Sequence, residues 1–191
     1  MTNTPIELFS RSEPLVLLWP APSSPSAERV FTEAAEWRAF VEGMGLPSPI
    51  PVVTASKYSR AQTLYLLAWL DPSLIKAGEL AALVALELAL RDRYGAAFKG
   101  KPPFAHLLKY MVERDGLKDA DVPLVQRCGG TVIGQLTGET RPTLADRRND
   151  LAHGDPFEGW PTSGLLELVR DLIAYAYRHY IQEGRSMERG L

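Results

Sequence analysis

Residues 80–90 have the sequence LAALVALELAL, and this stretch decides the fold class. It lies in a segment that begins at Asp71-Pro72, a helix cap followed by proline at the first helical position, and ends at Gly95. Apolar side chains occur on nearly every face of such a helix, which is typical of a helix that is buried on all sides. The run is too short to span a membrane and contains Glu87, so we predict the central helix of a packed core.

Apolar residues at helical spacing on both sides of this segment predict further helices. Gly or Pro near the ends of these segments supplies the stop signals. Together the segments predict an all-α protein, a helical bundle that carries a Pro-rich N-terminal extension. The predicted helices cover residues 59–70, 104–114, 123–138 with a break at Gly129-Gly130, and 164–182 before Gly184.

The first 56 residues differ from the rest because prolines interrupt them repeatedly. They leave room for one helix, at about residues 27–42 with Ser26 as its cap, and for short strands at residues 15–19 and 50–53. We therefore predict that residues 1–56 form an N-terminal arm with one helix, that 57–184 form the helical domain and that 185–191 form a C-terminal tail.

Composition excludes several classes of protein. Of the 191 residues, 21 are basic and 23 acidic, which argues against a protein that coats nucleic acid non-specifically but not against a local basic cleft. The single Cys128 cannot form an internal disulfide, and Cys/His zinc spacing is absent, so we expect no metal site and no cofactor. Residues 1–10 lack the basic start of a secretory signal, so we expect a cytoplasmic protein that does not bind membranes.

One predicted helix near the C-terminus carries a polar motif. Thr143 and Asp146 have the spacing of a capping box at its start, and Gly154-Asp155-Pro156 should end it near His153. This helix contains the sequence RNDLAH at residues 148–153.

The residue types in this motif suit phosphodiester cleavage without a metal. Histidine can accept or donate a proton near neutral pH, and the arginine fork can bind phosphate oxygens and stabilise the pentacovalent transition state. In an ideal helix Arg148 and His153 point roughly 140° apart, whereas Asn149 and His153 share a face. Both Arg148 and His153 could still contribute to one cleft, particularly one completed by a second copy of the chain.

Residues 148–154 resemble the R-x4-6-H motif of the HEPN superfamily, in the variant with Asn directly after Arg. The resemblance extends over about residues 60–182. It implies a helical bundle that forms a homodimer with the two motifs facing each other, and a metal-independent endoribonuclease of the kind found in toxin–antitoxin or phage-defence systems. RNA would then be the substrate and an antitoxin protein a possible partner. Carried over, Arg148 and His153 would be catalytic and Asn149 a supporting polar residue.

Other charged residues could support this site. An unpaired carboxylate at Glu87 would be costly on an apolar helix, so Glu87 should pair with Arg91, four residues on, or orient Arg148. Arg141 and Arg147 flank the motif and would add positive charge if they are not simply solvated. Asp150 lies within the motif and is a further supporting candidate.

Two other functions fit the same residues. A non-catalytic module could use the bundle to dimerise or to bind a protein, and an RNA- or nucleotide-binding domain could use the motif without turnover. The apolar and aromatic residues of the motif helix and the final helix exceed what one small bundle should need, which favours a homodimer in any of these cases.

Overall fold

In the computed structural model, which describes residues 11–154 and 160–189, a long helix forms the centre of the fold. This helix, α3 (Leu74–Tyr94), contains fully buried Leu83, Leu86 and Leu90, so the predicted central helix is confirmed. The helices that pack against α3 are α2 (Val52–Leu67), α4 (Phe104–Glu113), α7 (Leu144–His153) and α8 (Leu165–Ala176).

The remaining elements are short strands and helices placed around this centre. The predicted break at Gly129-Gly130 is confirmed, since both glycines have positive φ and separate two short helices. The bounds are β1 (Leu15–Ala21), β2 (Ser24–Phe31), α1 (Ala34–Glu42), α5 (Pro123–Cys128), α6 (Ile133–Thr137) and α9 (Arg178–Arg189), with 3-10 turns at Gly95–Ala97 and Asp119–Asp121.

The chain is mostly helical but not all-α, because β1 and β2 form an antiparallel hairpin. Leu15, Leu17 and Trp19 alternate with more exposed residues and face the core, as expected for a half-buried strand. The predicted strand at residues 15–19 is therefore confirmed.

The predicted helix at residues 27–42 is wrong over residues 27–33. Residues 27–31 belong to β2, where Phe31 pairs with Leu15 and its ring lies 5.0 Å from those of Trp37 and Phe40. Pairing with the preceding strand thus overrides local helix propensity, and α1 begins only at Ala34. The predicted strand at residues 50–53 is also wrong, because α2 begins at Val52 directly after Pro51.

The C-terminal helix is divided, in contrast to the prediction. Regular geometry breaks at Tyr177, whose buried ring carries a hydroxyl that donates to Asp92 at 2.7 Å. Helix α9 then continues past Gly184, the predicted stop, to Arg189. A glycine in a helix costs only about 1 kcal/mol, so it does not oblige the helix to end.

The hairpin and α1 share one hydrophobic core with the helices. The Trp19 indole donates to Glu167 of α8 at 3.1 Å, and the Trp37 indole donates to the Tyr65 carbonyl of α2 at 2.8 Å. Residues 1–10 of the predicted arm, Asp155-Pro156 and the last two residues of the predicted tail lie outside the described residues. None of the described helices has the length and apolar character needed to cross a membrane.

Candidate functional site

Helix α7 presents the motif, and both of its ends form as predicted. The Thr143 hydroxyl accepts from the Asp146 amide at 2.9 Å, and the Asp146 carboxylate accepts from the Thr143 amide at 3.0 Å. These bonds, and to a smaller degree Arg141, lower the pKa of Asp146. At the other end Gly154 has a φ of 89° and donates its amide to the Asp150 carbonyl. The predicted capping box and the helix end at His153 are confirmed.

Arg148 is held by a buried carboxylate on the central helix. Its Nη2 lies 3.0 Å from Glu87 Oε2, and Arg91 Nη2 lies 2.6 Å from Glu87 Oε1. Glu87 therefore contacts both of the partners that the sequence suggested. Asn149 completes the cluster, because its Oδ1 accepts from Arg148 Nη1 at 3.1 Å.

This cluster, the Arg148–Glu87–Arg91 cluster, carries a net positive charge. One carboxylate, 11% exposed, faces two guanidinium groups whose side chains are 29% and 30% exposed, so one positive charge is left without a counterion inside the cluster. A guanidinium has five N–H donors, and Arg148 uses only part of its fork on Glu87 and Asn149. The arrangement can accept one phosphodiester anion and become neutral.

His153 lies in the last turn of α7 and is exposed to solvent. Among the described residues, no hydrogen bond or ion pair engages its ring or joins it to Arg148. The two side chains therefore stand at separate positions of one short helix, as the ideal helical spacing predicts.

The other predicted site residues lie away from the cluster. Arg141 pairs with Asp146 at 2.6 Å, at the opposite end of α7 from His153. Arg147 points elsewhere and donates to the Thr162 hydroxyl at 3.1 Å. Asp150 is exposed, and its carbonyl accepts the bond that caps the helix.

Sequence reasoning missed a second buried carboxylate, Glu79, two helical turns before Glu87 on α3. It is fully buried, accepts a hydrogen bond from the Thr162 amide, and lies 3.5 Å from Lys76 Nζ. Burial raises its pKa to about 7, although Lys76 opposes the shift. The signal that drew attention to Glu87, a carboxylate in an apolar helix, would have found Glu79 as well.

The expectation of surplus apolar surface on the final helix is wrong for its first part, α8, although Tyr180 in the second part is 43% exposed. Most apolar residues of α8 are buried within the chain, where α3 and α5 pack against this helix. Exposed apolar surface is also found on α3, where Val84 is 38% exposed and Ala81 and Leu88 are partly exposed. These three residues follow one face of α3 beside Glu87, and we call them the α3 stripe.

No protein-family model matches the sequence, and neither a curated protein nor a solved structure matches it significantly. In the part of the chain that the structure describes, no group of His, Cys, Asp and Glu side chains could hold a metal ion.

Proposed function

We propose that this protein is a metal-independent endoribonuclease with a HEPN-like helical body, in which Arg148 binds the scissile phosphate and His153 transfers a proton. The observation that carries the proposal is the Arg148–Glu87–Arg91 cluster. A structural ion pair needs one arginine for one carboxylate, whereas here Glu87 faces two guanidinium groups and one positive charge is left over. One of these arginines, Arg148, lies on the same helix as the exposed His153. That surplus positive charge would be balanced by the single negative charge of one phosphodiester.

The proposed reaction uses the nucleophile that RNA itself provides. The 2′-hydroxyl loses its proton to a base and attacks the adjacent phosphorus, so that a 2′-O–P bond forms while the P–O5′ bond breaks. An acid protonates the departing 5′ oxygen, and the products are a 2′,3′-cyclic phosphate and a 5′-hydroxyl. Arg148 stabilises the charge on the non-bridging oxygens, and Glu87 and Asn149 fix its fork for that task.

Two copies of the chain would supply both the base and the acid. One chain offers a single His153, which no contact joins to Arg148, so a two-fold groove in which the motifs face each other would complete the site. The α3 stripe lies beside Glu87 and supplies apolar surface for such a contact. A stable symmetric interface should bury more than about 1,000 Å² in total.

The decisive experiment incubates the purified protein with a mixed RNA pool, with and without EDTA, after light scattering has established its oligomeric state. We expect a dimer that cleaves RNA in EDTA. His153→Ala should lower the rate about 10²–10⁴-fold because proton transfer is lost. Arg148→Ala should lower it about 10²–10³-fold, and Arg148→Lys should not restore it, because a point charge cannot replace a planar fork.

Matched controls separate chemistry from folding. His106→Ala and Arg141→Ala remove an exposed histidine and an exposed arginine outside the motif, and both should cleave like the wild type. Arg148→Ala should stay folded, since Glu87 keeps Arg91 as its partner. A monomer without cleavage would support an interaction module in place of the enzyme. Equal cleavage by the wild type and His153→Ala would show that the activity comes from elsewhere.

A further inference from the structure

A cavity of about 590 Å³ lies on a different side of α7 from the Arg148–Glu87–Arg91 cluster. Four segments line it: the turn of the hairpin, the loop between α5 and α6, Arg147 of α7, and the segment 160–163 that leads into α8. This volume falls within the range of pockets that bind small organic molecules or cofactors. Its walls combine leucines from several helices with serine and threonine hydroxyls, so it suits a ligand with both apolar and polar parts.

Arg147 gives the cavity a positive charge. Among the described residues no carboxylate lies within ion-pair distance of Arg147; Glu79 acts on it only at longer range, and burial raises the pKa of Glu79 to about 7. The Nε of Arg147 is buried without a hydrogen-bond partner. In contrast, Arg127 of nearby α5 is neutralised by Glu167, which it contacts through two bonds of 2.8 Å. A hydrogen bond to Thr162 fixes the Arg147 guanidinium, so a charged hydrogen-bond donor lies at the cavity wall.

Trp160 adds a flat aromatic surface to the same cavity. Trp19, Trp37 and Trp69 are buried, whereas Trp160 is 73% exposed. A large exposed indole is the kind of surface on which nucleic-acid bases stack. Gly129 and Gly130 form part of the wall, and a Cβ at either position would meet no atom within 4 Å, so the wall there is open.

From these features we infer that the cavity binds a nucleotide unit, with its base against Trp160 and its phosphate on Arg147. The unit could be a free nucleotide or one residue of an RNA strand, since both present the same ring and the same anion. This inference does not depend on cleavage at Arg148, because binding requires neither His153 nor a second chain.

Cys128, the single cysteine of the chain, lines the cavity and is partly exposed, so it reports on occupancy. We would measure its alkylation by N-ethylmaleimide in the wild-type protein, with each of the four ribonucleoside 5′-monophosphates, with adenosine and with inorganic phosphate. At least one monophosphate should slow alkylation and quench Trp160 fluorescence. Adenosine and inorganic phosphate should each protect at least tenfold more weakly, because each lacks one of the two contacts.

Substitutions at Arg147 and Trp160 test which residue contacts the phosphate and which contacts the base. Arg147→Ala and Arg147→Gln should weaken binding of the monophosphate at least tenfold. Neither substitution should change the weak protection of Cys128 by adenosine. Trp160→Ala should weaken binding of the monophosphate about tenfold, since the base loses its stacking partner. Arg141→Ala, an exposed arginine before the same helix, and His153→Ala should bind normally.

The source of the nucleotide unit is decided with a short oligoadenylate. Protection by the oligomer at much lower concentration than by the monophosphate, lost in Arg147→Ala, indicates an RNA strand, whereas equal potency indicates a free nucleotide. The inference is overturned if no monophosphate or oligomer protects Cys128, if both Arg147 variants bind as well as the wild type, or if inorganic phosphate alone protects as well as the nucleotide.

Discussion

Glu79 and Glu87 are two buried carboxylates on one helix, eight residues apart, and their surroundings differ. Glu87 contacts two guanidinium groups at 2.6 and 3.0 Å, and these groups are about one-third exposed. Among the described residues no guanidinium lies within ion-pair distance of Glu79, although Arg147 acts on it at longer range. Glu79 accepts from a backbone amide and has a lysine at 3.5 Å. Glu87 therefore belongs to a charged cluster that reaches the surface, whereas Glu79 is enclosed in the core.

The difference shows that partners, more than burial, distinguish a candidate functional carboxylate from a structural one. Burial favours the neutral carboxyl, and at Glu79 this effect outweighs the opposing charges of Lys76 and Arg147, so the pKa of Glu79 rises to about 7. Glu79 then fixes the Thr162 amide and so the segment that leads into α8. Glu87 keeps Arg148 in place and leaves a net positive charge on the surface.

The largest expected effect is on the pH dependence of stability. Above pH 7, replacing Glu79 with Gln should stabilise the fold relative to the wild type, whereas replacing Glu87 should destabilise it. The pKa of Glu79 is about 7 in the folded chain against 4.5 in the unfolded chain, so the folded state binds more protons between these values. The free energy of unfolding should therefore fall as pH rises from about 4.5 to 7, by on the order of 3 kcal/mol from this group. Urea unfolding of Glu79→Gln, compared with the wild type across this range, should lack that fall.

Glu87→Gln is the matched comparison. At pH 8 it should be less stable than the wild type, because two guanidinium groups lose their carboxylate. Glu79→Gln should instead gain stability relative to the wild type between pH 4.5 and pH 8, because the wild type loses stability over this range and the variant does not. If the two variants differ from the wild type in the same way at every pH, the contrast between the two carboxylates is wrong.

The second effect is on the proposed cleavage. Glu87→Gln loses the charged bonds that position Arg148, so we expect kcat to fall about ten- to a hundredfold. Glu79→Gln, at another buried position on the same helix, should change kcat less than about twofold. Single-turnover cleavage of a labelled RNA measures both variants, with circular dichroism to confirm folding. An equal loss in both would assign Glu87 a structural role only.

The sequence was sufficient for elements whose signals are local. The caps at Thr143 and Gly154 act within a few residues, and the apolar run at residues 80–90 has no stable place except the core. Residues 27–31 were assigned wrongly because their strand depends on pairing with β1, a contact between distant residues that helix propensity does not contain.

The same distinction applies to the candidate site. The Glu87–Arg91 pair has i, i+4 spacing and could be predicted, while the contact between Glu87 and Arg148 could be raised only as an alternative, because it joins two helices. The cavity around Arg147 and Trp160 was not foreseen, since four separate segments of the chain form it. Its signal in the sequence was limited to an arginine next to the motif and a tryptophan after it.

The smallest effect concerns Arg91, which shares Glu87 with Arg148. In Arg91→Ala the pair Glu87–Arg148 remains, so the positioning of Arg148 and therefore kcat should change little. The net charge of the cluster falls from +1 to zero, however, and a phosphodiester then meets no surplus positive charge. We expect KM to rise about fivefold, the effect of about 1 kcal/mol from one partly exposed charge. The slope of log(kcat/KM) against log salt concentration should become shallower by about 0.7, the value for one contact to single-stranded nucleic acid. Lys109→Ala removes a cation that is paired with Glu113 on the surface of α4 and should change neither KM nor the slope. A fall in kcat with an unchanged KM would mean that Arg91 positions Arg148 and does not attract the substrate.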